Sequence, residues 1–341
     1  MFRRNIISFT IGVVFLGGIF SSLGFGYYLI SPAKKAGHDQ VFLVREGATL
    51  NEVATELESR GIIAAKRLFL LWARLMKYGR QIKSGEYLLN AGMPPVKIFE
   101  ILRKGAIITH SVTIPEGFTR RQIAGLLEKK GLLQKDAFLL LTEDPDVTKR
   151  YGISGSSLEG YLYPDTYCFG KGLSSGSIVD VMVERFWEIL GPRKERIAEL
   201  RMTVEDVVTL ASIVEKETGS AEERPVIASV FLNRLKKGMR LESDPTIIYG
   251  LKDFDGNLKR RHLSESTPYN TYMIRGLPPG PIANPGLEAI DAVLYPAKTH
   301  YLYFVSKNDG SHYFSGTLSE HNRAVMKYQK KRGRRSRSGT R

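Results

Sequence analysis

One segment of this chain is written twice. Val44-Arg45-Glu46-Gly47-Ala48-Thr49 recurs seventy positions later as Ile114-Pro115-Glu116-Gly117-Phe118-Thr119. The match runs on from Val53-Ala54, Leu57-Glu58 and Gly61-Ile62-Ile63 into Ile123-Ala124, Leu127-Glu128 and Gly131-Leu132-Leu133. Each copy reads as a short strand, a turn at Glu-Gly, a threonine able to cap the next helix, an amphipathic helix, and a glycine that ends it. The first half is thus expected to hold two small βα modules, over residues 40–108 and 109–155. Read as structure alone, they are spacers that carry the second half.

Ahead of the repeat, Met1-Phe2-Arg3-Arg4-Asn5 is basic, and an uncharged run follows over residues 6–30. That run is long enough to cross a hydrocarbon layer as one helix. A cleaved signal peptide would have a shorter apolar stretch and a small-residue cleavage site, for which only Ser31-Pro32-Ala33 offers itself. The expectation is a retained transmembrane helix over 6–30, with residues 1–5 held in the cytoplasm by Arg3 and Arg4. The body is then exported across the inner membrane.

About 310 residues remain, enough for two or three domains with real cores. Cys168 is the only cysteine, so no intrachain disulfide can form and packing must hold the exported body. The net charge of +15 is partly local, because eight lysines and arginines crowd residues 327–341, after the last acidic residue, Glu320. A tail of this kind, over residues 329–341, is expected to be disordered and to suit anionic lipid or an acidic wall polymer. No nucleic-acid partner is expected of an exported body.

From residue 156 the texture changes. Tyr, Pro, Gly and Asn gather in blocks: Glu159-Gly160-Tyr161-Leu162-Tyr163-Pro164-Asp165, Asp244-Pro245-Thr246, Pro268-Tyr269-Asn270-Thr271-Tyr272 and Gly276-Leu277-Pro278-Pro279-Gly280-Pro281. Proline-rich stretches are pre-ordered and extended. Tyrosines offer flat apolar faces with a hydroxyl at the rim, and Asn and Arg supply paired hydrogen bonds. Such segments suit a long polymer of pyranose rings better than a small buried metabolite.

Between these blocks lies Leu210-Ala211-Ser212-Ile213-Val214-Glu215-Lys216-Glu217-Thr218-Gly219, an apolar helix ending in two carboxylates. Thr203 caps its start with Asp206 three residues on, and Val207, Leu210, Ala211 and Val214 share one face. A carboxyl at the end of a buried helix is partly desolvated and moves toward general-acid range. Periodicity does not choose between Glu217 and Glu215, since both flank the buried stripe. Position favours Glu217, at the helix end where a cleft can open; Glu215 lies further in and can pair with Arg224 or Arg234. Competing chemistry is weak. Gly172-Leu173-Ser174-Ser175-Gly176 sits in a Ser/Gly loop with no strand entering it, and the six histidines show no metal-binding pair. No cofactor is expected.

These blocks, taken in order with Ala228-Ser229-Val230-Phe231-Leu232-Asn233-Arg234-Leu235 and Gly238-Met239-Arg240-Leu241, resemble the endolytic murein transglycosylases of the MltG/YceG-like family. The resemblance covers nearly the whole chain, and the first βα module also resembles the LysM type of peptidoglycan-binding module. It implies an α+β fold: a transmembrane helix, small LysM-like βα modules, and a lysozyme-like (YceG-like) catalytic domain over residues 156–328. It carries the catalytic role onto Glu217. It further implies cleavage between N-acetylmuramic acid and N-acetylglucosamine of nascent peptidoglycan with 1,6-anhydro ends, terminating glycan elongation. Peptidoglycan synthases such as penicillin-binding proteins are the implied protein partners. Glu223, Asn233, Arg234, Asp244, Thr246, Tyr269, Asn270 and Tyr272 are the residues expected to bind the glycan. The alternatives are a glycan-binding scaffold, in which Glu217 is structural, and a hydrolytic muramidase. A closing hairpin is expected from Tyr301-Leu302-Tyr303-Phe304-Val305, a turn at Asn308-Asp309-Gly310, and a return at His312-Tyr313-Phe314.

Overall fold

Both copies of the repeat form the helices their capping residues predict. In the computed structural model of the chain, residues 2–78, 81–251 and 253–330 are described. Helix α1 (Phe2–Ile30) leads to strand β1 (Gln40–Val44), α2 (Leu50–Ser59), α3 (Lys66–Leu75), β2 (Gly85–Leu89) and α4 (Pro95–Lys104). Thr49 accepts a hydrogen bond from the Glu52 N–H at 3.2 Å, and Glu52 accepts one from the Thr49 N–H at 2.7 Å. In the second copy, after β3 (His110–Thr113), Thr119 and Gln122 form the same reciprocal cap on α5 (Arg120–Lys129). Such a cap stabilises a helix by about 1 kcal/mol. Gly61 and Gly131 both take φ +68°, a left-handed conformation that glycine adopts without a Cβ clash. The repeat then extends past the matching sequence. The N–H of Lys66 donates to Glu58 at 2.9 Å, and that of Lys135 donates to Glu128 at 2.9 Å, so each first helix caps its successor.

The described residues form three two-stranded sheets and divide into two compact units, a mixed α+β organisation. The first unit takes in residues 1–111, 131–133 and 168–174. Here β1 and β2 pair antiparallel, Gln40 opposite Leu89 and Val44 opposite Gly85. Phe42, Val44, Tyr87 and Leu89 alternate inward, as a strand period of two requires. Val53 and Leu57 from α2, Phe69 from α3, and Ile98, Phe99 and Leu102 from α4 close over them. The end of α1 packs on this unit, the Tyr28 hydroxyl donating to the Ala65 carbonyl at 2.8 Å. Among the described residues no helix is both long and apolar enough to cross a membrane. The side chains of residues 6–14, the first part of the expected anchor, lie outside those residues, as does the tail from residue 331.

The second unit takes in residues 112–130, 134–167 and 175–341. It continues through α6 (Lys135–Thr142), α7 (Pro145–Arg150), β4 (Thr166–Phe169), which pairs with β3, α8 (Ser175–Leu190) and α9 (Lys194–Glu199). Its centre is α10 (Val204–Glu217), where every residue from 207 to 214 is buried. A helix apolar all round must be wrapped on all sides. Packed against it are α11 (Arg224–Lys236), α12 (Asp244–Gly250) and, beyond the short α13 (Arg260–Leu263), α14 (Leu287–Leu294). The Thr203 and Asp206 cap forms as expected. The closing hairpin is β5 (Tyr303–Ser306) with β6 (His312–Ser315), antiparallel, followed by α15 (Leu318–Val325).

Candidate active site

The last turn of α10 delivers Glu217 to a place where water is scarce. Glu217 as a whole residue is half-buried. Burial pushes its carboxyl up to about 7, and the neighbouring Asp244 charge acts in the same direction; a hydrogen bond from Ser243 and the Arg234 charge oppose them. The Ser243 hydroxyl donates to Glu217 Oε1 at 2.5 Å. Ser243 occupies the N-cap position of α12, yet makes no side-chain cap there. The Asp244 carboxylate accepts from the Tyr272 hydroxyl at 2.8 Å. Glu217, Ser243, Asp244 and Tyr272 therefore form one cluster, held from below by Thr246 and Thr271, whose hydroxyls lie 2.8 Å apart. Thr271 also accepts from the Ser243 N–H at 3.0 Å.

The other glutamate of the pair is engaged elsewhere. Glu215 accepts from Arg224 at 3.1 Å and from the Gly286 N–H at 3.0 Å. Of the two arginines the sequence offered it, Arg224 is the partner. Arg234 is buried and donates to the carbonyls of Leu302, Arg240 and Leu241 and to Glu242, fixing the segment that leads into Ser243.

Of the residues expected to bind glycan, the fold gathers Asp244 and Tyr272 directly beside Glu217. Tyr269 stands in a separate cleft of about 600 Å³ that Lys216 and Pro245 also line, its ring 4.8 Å from that of Tyr249. The remaining residues bond within the protein. Thr246 donates to the Ser243 carbonyl at 2.6 Å and is fully buried. Asn270, also fully buried, donates to the carbonyls of His262, Leu263 and Glu265. Asn233 donates to the Thr299 and Tyr301 carbonyls at 3.0 Å each. Glu223 receives the His312 N–H at 2.9 Å.

Sequence reading missed Ser243, Tyr249 and Glu159. Ser243 carried a signal, since a serine before Asp-Pro reads as a helix N-cap. Glu159 is 2% exposed and accepts from the Arg120 N–H at 2.9 Å, Asn284 at 3.0 Å and the Tyr249 hydroxyl at 3.1 Å. Burial pushes its carboxyl up to about 7, against those hydrogen bonds and the Arg120 charge. Gly160 follows with φ +89°, and a Cβ there would lie 2.5 Å from Pro281 and 2.8 Å from Val208, so this turn closes on α10 only because it is glycine. No group of three or more His, Cys, Asp or Glu side chains able to hold a metal lies among the described residues.

Fold and site together define a mixed α+β protein built around one buried helix that presents a desolvated carboxylic acid, equipped for general-acid chemistry. The chain belongs to the YceG-like family, whose profile it matches over residues 42–327. It is 33% identical over 330 residues to the endolytic murein transglycosylase of Bacillus subtilis strain 168, covering 92% of this chain and 91% of that one. It is 30% identical over 363 residues to the endolytic murein transglycosylase of Streptococcus pneumoniae serotype 2 strain D39, covering 96% of this chain and 65% of the relative. A crystal structure of a YceG-like protein from Listeria monocytogenes superposes with a TM-score of 0.59 at 33% identity, covering 85% of this chain and all of that one.

Proposed function

We propose that the protein is a membrane-anchored endolytic murein transglycosylase whose catalytic acid is Glu217. The observation that carries this reading is the Glu217 carboxyl, desolvated at the end of α10 to a pKa of about 7 and steadied by Ser243. The names of the Bacillus and Streptococcus relatives point the same way. With Ser243 donating to Oε1, the acid's proton sits on Oε2. It passes to the oxygen linking C1 of N-acetylmuramic acid to N-acetylglucosamine, and the C1–O bond breaks with the electrons going to the leaving sugar. The carboxylate then takes the proton of the muramoyl 6-hydroxyl as O6 bonds to C1, closing the 1,6-anhydro ring. Glu217 is left protonated, and no water enters. The Asp244 carboxylate, held by Tyr272, faces the positive charge that develops at C1.

The expected anchor over residues 6–30 would hold this chemistry at the outer face of the inner membrane, beside nascent strands and the synthases that make them, so that cleavage ends elongation. The order β1-α2-α3-β2, with the two strands paired antiparallel, supports a LysM-like glycan-binding role for the first unit. A hydrolytic reading is favoured by one observation, the Asp244 carboxylate beside the acid, which could activate water. Incubating the full chain in detergent, and its Glu217→Gln variant, with purified peptidoglycan separates these readings by the mass of the released ends. Anhydromuramoyl ends from the wild type alone are expected. Reducing ends would make it a muramidase, and no release would favour a scaffold.

A further inference from the structure

A cleft that begins one residue before Glu217 is lined by Arg120, Arg121 and Lys216, and no acid is among its lining residues. α10 contributes Lys216, one residue before Glu217, and α12 contributes Pro245, Ile248 and Tyr249, just after Asp244. Arg121, in the first turn of α5, stands opposite and is exposed, with no hydrogen-bond or ion-pair partner among the described residues. Lys216 is also exposed; its ammonium donates to the Gly117 carbonyl at 3.2 Å and meets no carboxylate among the described residues. The carboxylate beneath them, Glu159, is sealed off by the Arg120 N–H, Asn284 and Tyr249. Arg120, only 5% exposed, is spoken for within the protein. Its Nε lies 4.0 Å from Glu159 Oε2 and its other nitrogens donate to Glu143, Thr142 and the Leu139 carbonyl, which leaves Arg121 and Lys216 as the available cations. Tyr249 and Tyr269 supply flat faces of the kind that meet the apolar face of a pyranose ring.

N-acetylmuramic acid differs from N-acetylglucosamine by a lactyl ether that ends in a carboxyl. In a naked strand that carboxyl is free and charged; in a peptide-bearing strand it is an amide, and the carboxylates lie further out on the peptide. Both present the same chemistry, an anion hung from the muramoyl ring. We propose that this cleft is the subsite for that anion, in which Arg121 and Lys216 bind a muramoyl-borne carboxylate while Tyr249 and Tyr269 hold the ring. The assignment rests on the murein reading of Glu217.

The test is equilibrium binding of the full chain in detergent, carrying Glu217→Gln so that substrate survives, to three soluble glycans: naked strands, peptide-bearing strands, and naked strands with carboxyls converted to methylamides. Adding Arg121→Gln and Lys216→Gln should weaken binding to a carboxylate-bearing strand about tenfold, the scale of one lost charge-assisted contact, and leave the methylamide form unchanged. Arg121→Lys should retain most of the affinity. Loss confined to naked strands assigns the lactyl carboxylate; loss confined to peptide-bearing strands assigns the peptide. Equal affinities across variants, equal loss on the methylamide form, or no binding to any strand overturns the subsite. Cleavage by the chain with Glu217 intact is scored separately. Carboxylate-dependent binding without cleavage would overturn the transglycosylase reading and leave the subsite standing.

Discussion

A serine at a helix N-cap ordinarily turns its hydroxyl onto its own backbone, whereas Ser243 turns it to Glu217. That diversion makes the acid's pKa a balance of named side chains. Ser243 stabilises the carboxylate and lowers the pKa; Asp244 repels the carboxylate and raises it. As the proposed general acid Glu217 must be protonated to act, so kcat/KM should fall as pH rises through about 7. Ser243→Ala should move this alkaline limb to higher pH, and Asp244→Asn should move it to lower pH. Rate profiles on solubilised strands check both, and shifts of the same sign would show that the two residues do not act through Glu217. Glu217→Gln should lower kcat by about 10²–10⁴-fold, the usual contribution of a positioned general acid, with KM little changed. Choosing between Glu217 and Glu215 was beyond periodicity, because both flank the buried stripe. What separates them is Arg224 and the Gly286 N–H, one of them 71 residues away in sequence.

At the scale of elements, what was legible in the sequence is what is local. The caps of α2, α5 and α10 are three-residue patterns, and the β5–β6 hairpin is a turn between two short strands. The Tyr- and Pro-rich coil was not legible beyond its composition, because distant partners hold it. Asn284 accepts from Gly160, 124 positions away, and donates to Phe118, 166 positions away. Local pattern carries no information about such pairs. Thr203→Ala tests the cap of α10. It should cost about 1 kcal/mol in denaturant unfolding and leave kcat unchanged, since the cap lies about 20 Å from Glu217 along a helix rising about 1.5 Å per residue. Glu159 tests the coil. Its carboxyl titrates near 4.5 in the unfolded chain and about 7 when folded, so between these values the folded state holds the extra proton. Its contribution to stability is therefore full below about 4.5 and is lost as pH rises through about 7. Glu159→Gln should flatten the fall of melting temperature across that window. Glu217, raised in the same direction, should account for part of the remaining slope.

At the scale of the whole molecule, the proposed anchor in the apolar run over residues 6–30 would decide on which side of a membrane Glu217 works. Two residues of its carboxyl end already bear on protein rather than lipid, Tyr28 reaching Ala65 and Phe25 lying 6.4 Å from Trp72. If the proposed anchor spans the membrane, a helix seated in this way would leave the first unit close against its surface. The topology can be read with a reporter the chain already carries. Cys168 is the sole cysteine and is exposed in β4, so one thiol marks the body of the protein without any engineered label. If Arg3 and Arg4 hold the amino terminus in the cytoplasm, a membrane-impermeant maleimide should label Cys168 in intact spheroplasts as fully as in permeabilised ones. Cys168→Ser supplies the blank. Labelling only after permeabilisation would place the body in the cytoplasm, where no peptidoglycan is found, and Glu217 would then need another substrate.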